Sequence, residues 1–386
     1  MRSLVFTGKG GVGKTTLAAA TGVRASKLGY RTLVISTDPA HSLADAFDLE
    51  IGHEVTPISD GLFCRQVDAQ RRLEDGWGEI RDHLVEILNW SGVDGVEAEE
   101  LAVFPGLEEI FGLIDLADYA QSGEWDLLIV DSAPTAETLR FLSLPDVMRW
   151  WMRKVWPAGR SVVKVVRPVL TRVTSAPVAS DGVLDATEGM YSRLAAARAL
   201  LSNGKRSSIR LVLNPEKVVL AESRRTYTYL SLFGYSVDAV IANRLLPDEV
   251  SDPWFADWRS AQIDHLAEVR DSFGALPVLE VPLTRREPYG LTALDDLAQV
   301  VYGDSDPAAV MSSDEPMTVV ESPEGYDLHL RLPFADKSDL EVARNAEDLF
   351  VRAGPYKRAL VLPQALLRRE IVCATFQDEE LVVSFR

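Results

Sequence analysis

Apolar residues in this chain fall into short uninterrupted runs separated by longer amphipathic stretches. Leu4-Val5-Phe6, "RTLVIS" (31–36), "WDLLIVD" (125–131), "SIRLVLN" (208–214), "DAVIAN" (238–243) and "LPVLEVP" (276–282) read as buried strands. Helical stretches separate them, notably 15–28, 185–202, 222–233 and 254–273. Strand, glycine loop, helix and strand follow one another in under 40 residues, the order of a βαβ unit. The alternation predicts one doubly wound, mostly parallel α/β sheet over 1–302. Residues 303–318, "GDSDPAAVMSSDEPMT", are small, polar and acidic and read as a linker. After them "YDLHLRLP", "DLFVRAG", "RALVLP" and "LVVSF" predict a small antiparallel β domain over 319–386.

Composition narrows the class. The 386 residues allow one large domain plus a smaller one. A formal net charge of −18 argues against a general nucleic-acid binder, which needs a basic surface. The two cysteines, Cys64 and Cys373, exclude a disulfide framework and a Cys-only metal site within one chain, and they suit a reducing compartment. A strand already at 3–7 leaves no room for a signal peptide ahead of the fold. No run of about 18 apolar residues predicts a membrane span. The expected setting is the cytoplasm.

The stretch "FTGKGGVGKTTLAAA" (6–20) fits two phosphate-binding patterns at once. Gly8, Gly10 and Gly13 fit G-x-G-x-x-G, and Asp38 stands near the place of the ribose-binding acid. Gly8, Gly13, Lys14 and Thr15 fit the P-loop. Lys14-Thr15-Thr16 decides for a nucleoside triphosphate. The backbone N–H groups of Gly10, Gly11, Val12, Gly13, Lys14 and Thr15 would wrap the phosphates at a helix N-terminus. Lys14 would reach the outer phosphates, and the Thr15 hydroxyl would ligate Mg²⁺. Asp131 ends an apolar strand, where a Walker-B carboxylate holds Mg²⁺ directly or through water. The extra lysine, Lys9, has two readings. It reaches phosphates held by a second subunit and stabilises the transferring phosphoryl group, which predicts a homodimer, or it is solvated.

With these motifs, "STDPAHSLAD" (36–45) and "DSAPTAETLRFL" (131–142) make the chain resemble the ArsA-type ATPases. These include the arsenite-pump ATPase and the ATPase that guides tail-anchored membrane proteins, on the deviant-Walker-A branch of P-loop proteins. Residues 214–247 and 287–298 are similar to that family too, so the likeness spans about 300 residues. It implies ATP as substrate, with Asp38 in a first switch acting on the attacking water. Asp38 can also be read as a helix N-cap before Pro39. The resemblance further implies that Asn243 hydrogen-bonds adenine, that Pro282 lies against it, and that Glu216 approaches the nucleotide or the partner subunit. Asn243 and Pro282 also fit plain strand-end turns. The chain departs from the family in three places. No cysteine follows Asn243, so no zinc clamp is expected. Metalloid-binding cysteines are missing. The second switch reads Ala136-Glu137 where members carry Gly-His. The tail resembles the α-crystallin domain of small heat-shock proteins, which a zinc-less subgroup of the family carries.

Residues 147–173 hold seven basic residues and no acidic one between Arg149 and Arg172. Met148, Trp151, Met152, Val155 and Trp156 recur at helical spacing. The family likeness makes this a groove for a hydrophobic client segment, within a helical part at about 70–120 and 141–195, with 101–119 as a second wall. A core-packed helix and a membrane-surface helix are the other readings. The combined expectation is an ATP-driven dimeric targeting chaperone with a hydrophobic client, such as a transmembrane helix, and a membrane receptor, binding no nucleic acid. The alternatives are a positioning switch of the septum-site and partition class and an ATP-independent holdase.

Overall fold

The computed structural model describes residues 1–38, 42–68, 78–92, 95, 107–132, 177, 179–313, 315–345, 348–362 and 364–386. The second-switch residues Ala136 and Glu137 lie outside the described residues, and so do Met148, Trp151, Met152, Val155 and Trp156.

Eight strands form one sheet: β1 (Arg2–Thr7), β2 (Thr32–Ser36), β3 (Thr56–Ser59), β4 (Leu62–Gln66), β5 (Leu127–Asp131), β6 (Ser207–Leu213), β7 (Val237–Leu245) and β8 (Val278–Pro282). Their spatial order is β3-β4-β2-β5-β1-β6-β7-β8. All neighbours pair in parallel except β3 with β4. The six apolar runs are six of these strands. β3 and β4 escaped the pattern because β4 ends in Arg65 and Gln66, both buried. Arg65 is neutralised there by Asp115 at 3.3 Å and also donates to the Tyr119 hydroxyl.

Helices α1 (Lys14–Lys27), α2 (Ser42–Phe47), α3 (Gly78–Trp90), α4 (Leu107–Ser122), α5 (Asp181–Leu201), α6 (Lys217–Leu232), α7 (Ala256–Ser272) and α8 (Gly290–Tyr302) connect the strands. α1 packs against α8, where the Thr21 and Tyr302 hydroxyls meet at 2.7 Å. α4 falls in the expected second wall of a client groove. Its Ile110, Phe111, Ile114, Leu116 and Ala117 are buried in the core, packed against α5, β2 and β5, and 101–106 of that wall lie outside the described residues.

The first residues of the polar stretch after α8 are fastened to the ATPase domain. Arg24 donates to the Gly303 carbonyl at 2.8 Å, Tyr30 to Asp306 at 2.7 Å, and Arg210 to the Pro307 carbonyl at 2.6 Å. Arg210 is fully buried and also faces Asp238 at 3.5 Å, which holds Arg2 at 3.0 Å. Arg2 and Asp238 stand at the N-terminal ends of β1 and β7, and Arg210 joins them from midway along β6.

The tail forms two antiparallel sheets. One comprises β9 (Met317–Ser322), β10 (Gly325–Arg331), β14 (Ile371–Gln377) and β15 (Glu380–Phe385), in the order β14-β15-β10-β9. The other comprises β11 (Leu340–Asn345), β12 (Asp348–Ala353) and β13 (Tyr356–Val361), with the one-turn helix α9 (Gln364–Leu367) between them in sequence. Leu328, Leu330, Val383 and Phe385 of the first and Leu349, Val351 and Leu360 of the second are buried. β9, β11 and β14, which apolar alternation does not mark, are all edge strands. An edge strand has fewer buried positions to betray it.

Candidate functional site

The parallel register builds the site. Phe6 pairs with Asp131, and Asp131 pairs with Ser36, so the C-terminal ends of β1, β5 and β2 lie level. The glycine loop leaves β1 at this level, and Asp38 leaves β2 beside it.

The loop is shaped by two close approaches. A Cβ at Gly8 would stand 2.1 Å from the Val212 carbonyl oxygen of β6, so only glycine lets the two backbones meet. Gly13 has φ 97°, and a Cβ there would stand 2.4 Å from Asn243 Nδ2. Directly after Gly13, α1 begins, and its first-turn N–H groups have no intrahelical acceptor. They face outward as an anion cradle with the positive end of the helix dipole behind them.

Lys14 is buried, and its ammonium donates to the Lys9 carbonyl at 3.2 Å. Burial lowers its pKa, against the pull of Asp131, Asp38 and Glu222. Lys9 itself is partly exposed, and among the described residues its ammonium makes no hydrogen bond or ion pair. Thr15 Oγ1 donates to Asp131 Oδ2 at 2.8 Å and lies 3.2 Å from Ser42 Oγ. Ser36 donates to the same Asp131 oxygen at 3.2 Å. Ser42 donates to Asp38 Oδ2 at 2.9 Å, and Gln66 donates to the Asp38 carbonyl at 2.5 Å. One hydroxyl chain therefore joins Asp131, Thr15, Ser42 and Asp38.

Asp131 is fully buried, and burial raises its pKa to about 6 despite help from Thr15, Lys14 and Ser36. Its Oδ1 is buried with no hydrogen-bond partner among the described residues. A buried carboxylate held at this cost beside a threonine hydroxyl is a hard-oxygen donor set that fits Mg²⁺.

On the other side of the loop, Gly13, Thr16, Leu17, Asn243, Pro282 and Arg286 line a cavity of about 340 Å³. Asn243 Nδ2 donates to the Val12 carbonyl at 2.8 Å, and its Oδ1 accepts from the Arg244 N–H at 2.9 Å. Pro282 closes β8, whose end is tied to β7 by the Leu283 N–H bond to the Leu245 carbonyl. Glu216 is exposed at the N-cap of α6. The structure thus brings Gly8 to Thr16, Asp38 and Asp131 together, with Asn243 and Pro282 on the adjoining cavity. Sequence reasoning passed over Ser36 and Ser42. Their signal was two hydroxyls flanking Asp38, two residues before and four after it. The two cysteines stand apart, Cys64 buried in β4 and Cys373 exposed on β14.

A family model, anion-transporting ATPase, matches residues 1–303, and a second, the HSP20-like domain found in ArsA, matches 323–385. A putative arsenical pump-driving ATPase of Chlorobaculum tepidum is 36% identical over 100% of this chain and 96% of its own. A putative arsenical pump-driving ATPase of Aquifex aeolicus is 36% identical, with 99% of each covered. The ATPase GET3B of Arabidopsis thaliana is 29% identical over 76% of this chain and 77% of its own. With its P-loop, strand-end aspartate and two-sheet tail in this order, the chain belongs to the anion-transporting (ArsA) ATPase family and carries that family's HSP20-like domain.

Proposed function

We propose that the chain is a Mg²⁺-dependent ATPase that works as a cytoplasmic homodimer, holds a hydrophobic client segment in its ATP-closed form and releases it on hydrolysis. The observation that carries the ATPase chemistry is the level meeting of Lys14, Thr15, Asp38 and Asp131 at the ends of three neighbouring strands. Lys14 would leave the Lys9 carbonyl for the outer phosphates, and the N–H groups of Gly10 to Thr15 would hold the rest. Thr15 and Asp131 would hold Mg²⁺, which supplies charge neutralisation at the phosphates when bound. Asp38, fixed by Ser42, would orient the attacking water. The cavity at Asn243 and Pro282 suits a base. Asn243 keeps only part of its hydrogen-bonding capacity for it, since Val12 and Arg244 take the rest.

Lys9 on the rim supports a dimer with each lysine serving the opposite site. Support for a client rests on the basic amphipathic stretch 147–173 and on the family resemblance. Arsenite fits poorly, because Cys64 and Cys373 cannot meet at one ligand within a chain.

Turnover measurements test the chemistry. Lys14→Ala is expected to abolish hydrolysis, and Asp38→Asn to bind ATP without cutting it. Lys9→Ala is expected to slow turnover on the order of 10²–10³-fold with nucleotide still bound. Normal hydrolysis by Asp38→Asn overturns the catalytic assignment. Pull-down with ATP-trapped Asp38→Asn, controlled by Lys14→Ala, tests the client. Hydrophobic helices enriched only in the trapped form support it, and soluble partners alone turn the reading to a positioning switch.

A further inference from the structure

We propose that α6 is a lever between the nucleotide site and the C-terminal β domain, so that ATP occupancy and the seating of that domain change together. This rests on the ATP reading above.

One end of the lever stands at the loop. α6 follows β6, whose Val212 carbonyl touches Gly8 so closely that a Cβ could not enter. Asn214, between β6 and α6, has a buried Oδ1 with no hydrogen-bond partner among the described residues. One turn into α6, Glu222 is near enough for its charge to act on Lys14.

The other end is enclosed by the β domain. Every residue from Thr226 to Leu232 is buried. A helix lying on one sheet hides only a stripe about 100° wide, so a second body must cover the remaining faces. That body is the tail. Thr228 donates to the Pro333 carbonyl. Tyr229 meets Tyr356 edge to face at 4.4 Å. Tyr227, Phe273 at the end of α7 and Phe334 of the tail form a three-ring cluster with centroids 5.6 to 6.4 Å apart.

Arg358 of β13 closes the contact. It is 3% exposed, its Nη1 donates to the Leu232 carbonyl at 2.5 Å, and its guanidinium lies over Phe233 at 5.6 Å. The last carbonyls of a helix lack intrahelical donors, and the helix dipole favours a cation there. α6 has no basic residue of its own in its last turn. The Gly234 and Tyr235 N–H groups serve the Ser231 and Leu230 carbonyls, and the tail supplies the cation and the donor for Leu232. A 16-residue helix is about 24 Å long and moves as one piece. A shift of its start by phosphate at the loop therefore reaches Arg358, and loss of the cap reaches Glu222 and Asn214.

Thermodynamic linkage makes the coupling reciprocal, which supplies the test. Amide exchange is followed in the full wild-type chain with and without a non-hydrolysable ATP analogue and Mg²⁺. The expected result is changed exchange in 226–234 and 348–361 when the analogue binds. Arg358→Met, which keeps the stem and removes the cap, is expected to change analogue affinity at least about fivefold, with Arg358→Lys restoring part of it. Thr228→Val is the second variant should Arg358→Met not fold. Analogue binding with unchanged exchange in both segments overturns the lever. So does a loosened tail in Arg358→Met with affinity within twofold of wild type. If the wild-type chain binds no analogue, it is the ATP reading that fails, a result distinct from binding without coupling.

Discussion

Gly13→Ala adds one methyl at the point where the loop, helix α1 and Asn243 meet. Gly13 has φ 97° and ψ 27°, a conformation that costs a residue with a Cβ about 1–2 kcal/mol. The added carbon would lie 2.4 Å from Asn243 Nδ2, so the amide must withdraw. Withdrawal gives up its 2.8 Å bond to the Val12 carbonyl, which is worth about 1 kcal/mol. The expected loss is about 2–3 kcal/mol, the two added. Asn243→Ala alone loses that bond and the one its Oδ1 accepts from the Arg244 N–H, and it opens the space. In that background Gly13→Ala should cost the backbone strain alone. The double variant is then about 1 kcal/mol more stable than the single losses added. Urea unfolding of the four proteins at matched slope measures the cycle. If the losses add within about 0.5 kcal/mol, the methyl and the amide do not meet and the tie between Asn243 and the loop is wrong.

Two further perturbations probe buried charged groups on either side of β1, both level with Phe6. Asp131 has its pKa raised to about 6 from 3.8 by burial, so the folded nucleotide-free protein holds that proton after the unfolded chain has released it. Its contribution to stability is therefore lost as pH rises from about 4 to 6, by about 3 kcal/mol in all. Urea unfolding of nucleotide-free wild type and Asp131→Asn across that window should show the decline only in wild type; parallel curves refute it. Arg210→Met removes the fully buried cation that joins Tyr302, Pro307 and Asp238. It should cost about 3–5 kcal/mol and expose 303–313 to protease; an unchanged cleavage pattern would show that other contacts hold the segment.

Legibility in the sequence followed the distance over which each contact acts. The parallel sheet was readable because strands buried on both faces are near-continuously apolar, as over Leu127–Val130 of β5. The loop was readable because its chemistry lies within nine residues. Interactions between distant polar residues were not. Arg210 looks like a surface residue in "SIRLVLN", yet it is fully buried, because Asp238, Tyr302 and Pro307 converge on it. Arg358 lies in an apolar run, and its acceptor, the Leu232 carbonyl, is 126 residues away. Residues 303–313 have the composition of a linker, and their anchors, Arg24, Tyr30 and Arg210, are all elsewhere in the chain.

The same distinction settles which phosphate motif the glycine loop represents. The glycines alone cannot decide. Gly8 is required by the β6 backbone and Gly13 by a left-handed turn against Asn243, and both demands would be met in either motif. The two motifs part at Lys14 and Thr15. A dinucleotide turn has no use for a buried ammonium folded back on the Lys9 carbonyl, nor for a threonine hydroxyl bonded to a carboxylate at the end of the strand beside β2, which leads to Asp38. Those contacts exist because β5 lies between β1 and β2 with Phe6, Asp131 and Ser36 level. The strand order is thus part of the proposed catalytic site. Moving β5 to either edge of the sheet would leave every motif residue in the sequence and separate Lys14 and Thr15 from Asp131.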